Sequence, residues 1–312
     1  MQDTAPFFAG IADAPPPQRV VWQKAEDGTR LRIALWPIGT KGIMAIFPGR
    51  TEVIEKYGRV IRDLAASGYG AAVIDWRGQG LSDRLNGKPL LGDVPDFGHY
   101  QQDVAAYRAI IDEYAQDAPR FVLAHSMGGC IALRALMNGF PARAASFSAP
   151  MWGLPLNGTT RRAIAALRSA LRLTRLELRE IPGAGIAFRL WENPFDNNEL
   201  TRDFETYDWM QTQVRAHPEL RLGAPSLRWL AAALAETAAL RHLPTPDIAA
   251  FCGLGTREML VSAPAIAARM AAWPRGQLDI YNGALHELLM EAPPTRTEFL
   301  RATVGLCDAH LS

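Results

Sequence analysis

The run Arg120-Phe-Val-Leu-Ala-His-Ser-Met-Gly-Gly-Cys-Ile-Ala-Leu-Arg134 constrains this chain more than any other stretch. Phe121 to Ala124 is an apolar segment of strand length, and Ile131 to Met137 carries a helical pattern. Ser126 stands at the join, with Gly128 and Gly129 behind it. Strand, sharp turn, serine, helix is the context of a nucleophile elbow. Such a turn lifts the hydroxyl clear of the backbone. It also sets it beside a helix N-terminus, whose free N–H groups hold a developing oxyanion.

A strand-to-helix elbow needs a parallel sheet around it, and the rest of the pattern supplies one. Val20 to Lys24 and Arg30 to Pro37 flank Asp27-Gly28, a hairpin signal. Strands are predicted at Gly42 to Phe47, Gly70 to Asp75, Arg143 to Ser148, Ile248 to Gly253 and Gln277 to Tyr281. Helices are predicted over Val53 to Ser67, Asp96 to Asp117, Pro264 to Ala272 and Thr295 to Cys307. The alternation implies an α/β fold, a mostly parallel sheet covered by helices on both faces. It lapses after Pro150 and resumes near Asp247. The expected division is an N-terminal arm (1–19), a core in two parts (20–150 and 244–312) and a helical cap (151–243) inserted after one strand. Ligands of such sheets bind at the carboxyl ends of the strands.

Chemistry at a serine needs a base, and the base needs an orienting acid. Of six histidines, His286 follows the last predicted strand, where a loop side chain reaches the same sheet edge as Ser126. His125 is adjacent to the serine and points away on a tight turn, which suits packing. The remaining histidines fall on helices or connections. The acid is expected after the preceding strand, which selects Glu258; Asp279, inside the last strand, is the alternative. The loop Pro48-Gly49-Arg50 follows an early strand, so the N–H groups of Arg50 and Met127 are the expected oxyanion donors. The order Ser126, Glu258, His286 fits serine hydrolases of the α/β type rather than the two unrelated protease orders.

The chain resembles the α/β-hydrolases, in the branch of monoacylglycerol lipases and bacterial lysophospholipases, the serine-aminopeptidase-like hydrolases. The resemblance rests on Phe47-Pro-Gly-Arg-Thr-Glu52, Asp75-Trp-Arg-Gly-Gln-Gly-Leu-Ser82, Ala124-His-Ser-Met-Gly-Gly129, Phe147-Ser-Ala-Pro150 and Gly283-Ala-Leu-His-Glu287. Pro48-Gly49-Arg50 and the arginine-rich cap look most like the lysophospholipase L2 group. The family implies Ser126 as nucleophile, His286 as base and Glu258 at the acid position. Three positions depart from its pattern: Ala124 for the first elbow glycine, Pro48 for the usual histidine, and glutamate rather than aspartate as acid. The implied activity is hydrolysis of the carboxylic ester of a single-acyl lipid. Monoacylglycerol lipase or general carboxylesterase activity is the alternative, with an aminopeptidase or a non-catalytic binding scaffold further off.

Composition narrows the partners. Net charge is +1, which gives no general attraction to nucleic acid. The basic residues are four lysines and 29 arginines. Arg168, Arg172, Arg175 and Arg179 fall on one helical face beside Ile164, Leu167, Leu171 and Leu178, with Arg161 upstream. That face is either a solvated surface or a contact with anionic lipid. Three scattered cysteines suggest a reducing compartment. No signal-like or membrane-spanning run occurs, so the expectation is a cytoplasmic protein, peripheral to the inner membrane face if the arginines meet lipid. Trp76-Arg-Gly-Gln-Gly80 lacks the dinucleotide pattern, and Met290 stands where a zinc helix needs a second histidine. No cofactor or metal is expected.

Overall fold

The computed structural model describes residues 3–160, 164, 175–181 and 188–311. Eight strands form one sheet: β1 (Arg19–Lys24), β2 (Arg30–Leu35), β3 (Gly42–Phe47), β4 (Tyr69–Asp75), β5 (Arg120–His125), β6 (Ala144–Ser148), β7 (Ala249–Gly255) and β8 (Gly276–Tyr281). Their order across the sheet is β1-β2-β4-β3-β5-β6-β7-β8. The β1–β2 hairpin and the β2–β4 pair are antiparallel, and every other pair is parallel. Eight α-helices are described: α1 (Ala9–Ala12), α2 (Gly58–Ala66), α3 (Gly98–Ala115), α4 (Met127–Met137), α5 (Phe204–Ala216), α6 (Leu227–Arg241), α7 (Ala263–Ala271) and α8 (Pro293–Asp308).

Strand side chains alternate between two apolar layers, as the two-residue period requires. Ile43, Ala45 and Phe47 of β3 join Val122 and Ala124 of β5 on the face covered by α3, α4, α6 and α7. Met44, Ile46, Phe121 and Leu123 join the opposite face, under α2 and α8. Both faces of the central strands are dry, which is why β3, β4 and β7 read as continuous apolar runs.

The register fixes where chemistry can gather. Phe47 pairs with Ala124, His125 with Ser148, Ser148 with Gly253, and Gly255 with Tyr281. The carboxyl ends of β3, β5, β6, β7 and β8 therefore finish along one edge. The arm before β1 is fastened to the core. Ala5 donates to the Val20 carbonyl at 2.9 Å, and the Trp36 indole donates to the Pro15 carbonyl at 2.7 Å. Between β6 and β7 the described residues add helices and turns but no strand to the sheet. The helix predicted over Val53 to Ser67 begins instead as a tight 3-10 turn, Ile54–Tyr57. Its Ile54 N–H is held by Asp75, and Glu55 and Lys56 turn inward to buried partners.

Candidate active site

Ser126 occupies the turn between β5 and α4 with φ +50° and ψ −119°, a strained conformation for a residue with a side chain. Such residues cost about 1–3 kcal/mol and persist only where the surroundings over-determine them. Here Ser126 N–H donates to the Ser148 carbonyl at 3.1 Å, and its carbonyl accepts from Gly129 and Met151 at 2.9 and 2.8 Å. Gly128 lies so close to the Phe47 and Pro48 carbonyls that a Cβ would collide with both. Gly129 packs as tightly on Pro150. The two glycines thus let α4 start directly behind the serine and against the β3 loop.

That loop is clamped by its polar groups. Trp76 Nε1 donates to the Pro48 carbonyl at 2.9 Å, and Gln79 Nε2 donates to the Gly49 and Glu52 carbonyls at 2.9 and 3.0 Å. Glu52 accepts from the Gly49 N–H. The Arg50 N–H makes no hydrogen bond to the described residues. Met127, as the first residue of α4, has an N–H outside the helix's own ladder. The two predicted donors therefore lie on segments that pack together at Gly128, and the Arg50 N–H is uncommitted among the described residues.

His286 lies past β8, its side chain 4% exposed, and its Nδ1 is 2.7 Å from Glu258 Oε2. Glu258 Oε1 accepts from Leu260 and Val261 N–H at 2.6 and 2.9 Å, so the loop after β7 folds round the carboxylate. This wrapping accommodates the extra methylene of glutamate. The two loops are stitched together by Thr256 N–H to the Tyr281 carbonyl and Arg257 N–H to the Ala284 carbonyl, both 3.0 Å. Asp279 lies within β8, opposite Gly253, and accepts from Gln277 at 2.9 Å. Burial works to lower the basicity of His286, but the charge and hydrogen bond of Glu258 outweigh it and hold the imidazole above its ordinary value. Burial pushes Glu258 up, and His286 with the two loop N–H groups brings it below the usual range. A carboxylate on Nδ1 leaves Nε2 as the free nitrogen of the neutral ring.

His125 packs its ring on that of His286, centroids 4.7 Å apart. Its Nδ1 is 3.0 Å from the Ser148 carbonyl. Burial drives its pKa down to about 3 against the pull of Glu52, so it stays neutral. Beneath it lies a cluster that sequence reasoning missed. Lys56 Nζ is 2.6 Å from both Glu52 and Glu287, and Tyr57 donates to Glu52 at 2.6 Å. Ligand atoms of Glu52, His125 and Glu287 lie within 4.8 Å of one another, a spacing that suits a metal ion. The Lys56 ammonium already bridges the two carboxylates, so the donor set does not fit a second cation. Gln79 was missed as well. Its place in Asp75-Trp-Arg-Gly-Gln-Gly80 was legible only as a turn.

The aromatic residues between β6 and β7 have separate partners. Trp152 donates to the Gly129 carbonyl and stacks near Phe147 and Trp273. Trp209 donates to the Ile11 carbonyl, and Trp191 to Glu192. Phe195 packs on Phe204 and Tyr207. Trp229 alone of these stands over the β3 loop, facing Arg50. A cavity of about 1180 Å³ lies between α6 and α7, but Ser126, Glu258 and His286 do not line it. Of the predicted basic face, Arg161, Arg168 and Arg172 and the side chain of Arg175 lie outside the described residues.

The family described as serine aminopeptidase, S33, matches residues 39–293. The chain belongs to the serine aminopeptidase S33 family. Lysophospholipase L2 of Escherichia coli strain K12 is 29% identical to it over 283 residues, 86% of this chain and 81% of that protein. A probable lysophospholipase L2 of Haemophilus influenzae is 27% identical over 267 residues, 83% of this chain and 82% of its own. A soluble variant of monoglyceride lipase from Saccharomyces cerevisiae superposes with a TM-score of 0.73 at 18% identity, covering 98% of this chain and all of that one. The α/β-hydrolase fold of the S33 family is thus the fold of this chain.

Proposed function

We propose that this protein is a serine hydrolase that cleaves the carboxylic ester of a single-acyl lipid, in the manner of a lysophospholipase. The observation that carries the reading is the 2.7 Å contact between His286 Nδ1 and Glu258 at the same sheet edge as the strained Ser126. Ser126 Oγ attacks the ester carbonyl while His286 Nε2 takes its proton. Glu258 holds the tautomer and stabilises the imidazolium. The Arg50 and Met127 N–H groups receive the oxyanion, each such donor contributing about 3 kcal/mol to the barrier reduction. His286 then returns the proton to the leaving glycerol oxygen. Water, activated by the same histidine, frees the fatty acid from the acyl-enzyme.

The names of the relatives favour a lysophospholipid over a neutral monoacylglycerol. Residues 151–243 are read as the cap over the sheet edge, where the Glu199 and Leu200 carbonyls meet the backbone of His286 and Glu287. No described helix is long and apolar enough to cross a membrane. We read the protein as cytoplasmic, and as peripheral to the inner membrane face if the cap arginines meet anionic lipid rather than solvent. An aminopeptidase would need a free anion for the substrate ammonium. Of the carboxylates around the two histidines, Glu258 is taken by His286, and Glu52 and Glu287 by Lys56.

The test is release of fatty acid from a panel of lysophospholipids, monoacylglycerols and short esters, with wild type and Ser126→Ala, beside labelling by a fluorophosphonate. Hydrolysis and labelling that both vanish in Ser126→Ala support the reading. Undiminished hydrolysis by Ser126→Ala overturns it.

A further inference from the structure

Arg50 has a side chain that the reaction above does not use. Its guanidinium runs beneath the segment between β6 and β7, where Nη2 donates to the Gly223 carbonyl at 2.5 Å. Cζ lies 5.4 Å from the centre of the Trp229 ring and 6.0 Å from that of Phe188. It lies against Gly92, where a Cβ would displace the guanidinium. Its Nε is enclosed and meets no acceptor among the described residues. The residue as a whole is half-buried.

No carboxylate among the described residues forms an ion pair with Arg50. The residues outside that set include no aspartate or glutamate. The acid best placed by sequence is Asp93, next to Gly92. It is consumed by Arg228, whose Nε lies 3.0 Å from it, and by Ser226 at 2.6 Å. Burial pulls the guanidinium down to about 10, opposed only by Tyr100, so it remains a cation at neutral pH. A withdrawn cation with an unmet donor and aromatic walls is a receptor for an oxyanion, which a guanidinium binds through its planar fork.

The position of that receptor suggests its ligand. The Arg50 backbone N–H is the proposed donor to the ester oxygen, and its guanidinium carbon is roughly six bonds away, a reach of about 7 Å. In a glycerol lipid acylated at one end and phosphorylated at the other, phosphorus is also roughly six bonds from the ester carbon. We propose that Arg50 binds the phosphate of a lysophospholipid head group, so that one residue holds the reacting carbonyl by its backbone and the head group by its side chain. This deepens the lipid-ester reading and rests on it. The rings of Trp229 and Phe188 wall the guanidinium, and Gly223 takes one of its nitrogens.

The experiment is the ratio of kcat/KM for a short-acyl lysophosphatidylglycerol to that for the matching monoacylglycerol, in wild type, Arg50→Met and Arg50→Lys. Disturbance of the oxyanion loop affects both substrates and cancels in the ratio. The ratio should fall about 10- to 100-fold in Arg50→Met, the worth of a charge-assisted contact, and recover in part in Arg50→Lys. A ratio within twofold of wild type in Arg50→Met overturns the proposal. A second arm measures glycerol 3-phosphate, inorganic phosphate and glycerol binding by calorimetry to Ser126→Ala with and without Arg50→Met. Arg50-dependent binding of glycerol 3-phosphate supports the site even if no ester is cleaved, a result that would overturn the hydrolytic reading alone. Equal binding of inorganic phosphate would reassign the site to the free ion and overturn the head-group assignment.

Discussion

Arg32 is fully buried and Arg50 half-buried, and their surroundings are opposite. Arg32 is fully buried between β2 and β4. Its Nε is 2.7 Å from Asp75, and its two terminal nitrogens are each 2.8 Å from Glu55. Asp75 in turn accepts from Ile54 and Leu81 N–H at 2.9 Å. Burial alone would weaken the Arg32 charge, but Asp75 and Glu55 hold it above its ordinary value. Arg50 has one carbonyl, two aromatic rings and an unmet Nε. The closed network fastens the turn from Trp76 to Ser82, whose Gln79 clamps the β3 loop. The open one lies above that loop. A balanced buried charge is scaffold, and an unbalanced one beside strained backbone marks a place kept for something else.

The sharpest way to break this division is to compare Ser126→Ala with Arg32→Met. Ser126→Ala should lower kcat by about 10⁵–10⁶-fold and leave thermal unfolding close to wild type, because the hydroxyl supports no structure. Arg32→Met should behave oppositely. Removing one partner of a buried pair leaves two carboxylates uncompensated and costs about 3–5 kcal/mol of stability, with turnover per folded molecule retained. Denaturant unfolding and active-site titration of the same samples check both. An Arg32→Met protein that melts like wild type would remove the scaffold half of the comparison.

Next in size is the acid. Glu258→Gln should cost about 10³–10⁴-fold in kcat, since an amide neither fixes the tautomer nor stabilises imidazolium. Asp279→Asn should stay within about twofold, in line with ordinary surface substitutions. Steady-state rates on one ester suffice. Equal losses in the two variants would return the acid position to an open question.

What could be seen in the sequence follows the range of the interaction. The Ser126 elbow and the alternating strands are written in neighbouring residues, so periodicity exposes them. The end of alternation after Pro150 likewise marks where the chain leaves the sheet. The long-range charge pairs have no such signature. Lys56 meets Glu287 across 231 positions, and Arg32 meets Asp75 across 43. Gln79 sits in a glycine turn whose shape was legible, but its two acceptors belong to another loop. Glu258 was reachable by rule, as a residue after the penultimate strand. The carbonyl and rings around Arg50 come from segments far along the chain, so only its backbone role could be read.

Gln79 tests whether the β3 loop is held by the scaffold side. Gln79→Ala leaves the Gly49 and Glu52 carbonyls without their donor and lets the Arg50 N–H drift. A positioning residue of this kind should lower kcat by about tenfold, less than outright loss of an oxyanion donor, with KM little changed. Gln79→Glu should not rescue it, because a carboxylate offers no N–H. A rise in KM with kcat intact would assign Gln79 to substrate binding instead.

The smallest expected effect is a displacement of the pH profile. His286 acts as base only when neutral, and Glu258 holds its pKa above 6.5. Activity should therefore be lost as pH falls through that raised value, so the acid limb of kcat/KM lies above 6.5. Protonation of His125 does not contribute to this limb, because burial keeps that ring neutral down to about pH 3. In Glu258→Gln the charge that raises His286 is gone while burial remains, so the limb of the residual activity should move to lower pH. Arg32→Met, by contrast, should leave the limb in place, because its network does not touch the imidazole. A limb below 6.5 in wild type, or one that does not move in Glu258→Gln, would mean that Glu258 does not set the charge of the base. The charge of the site would then be set by groups other than the carboxylate in contact with the imidazole.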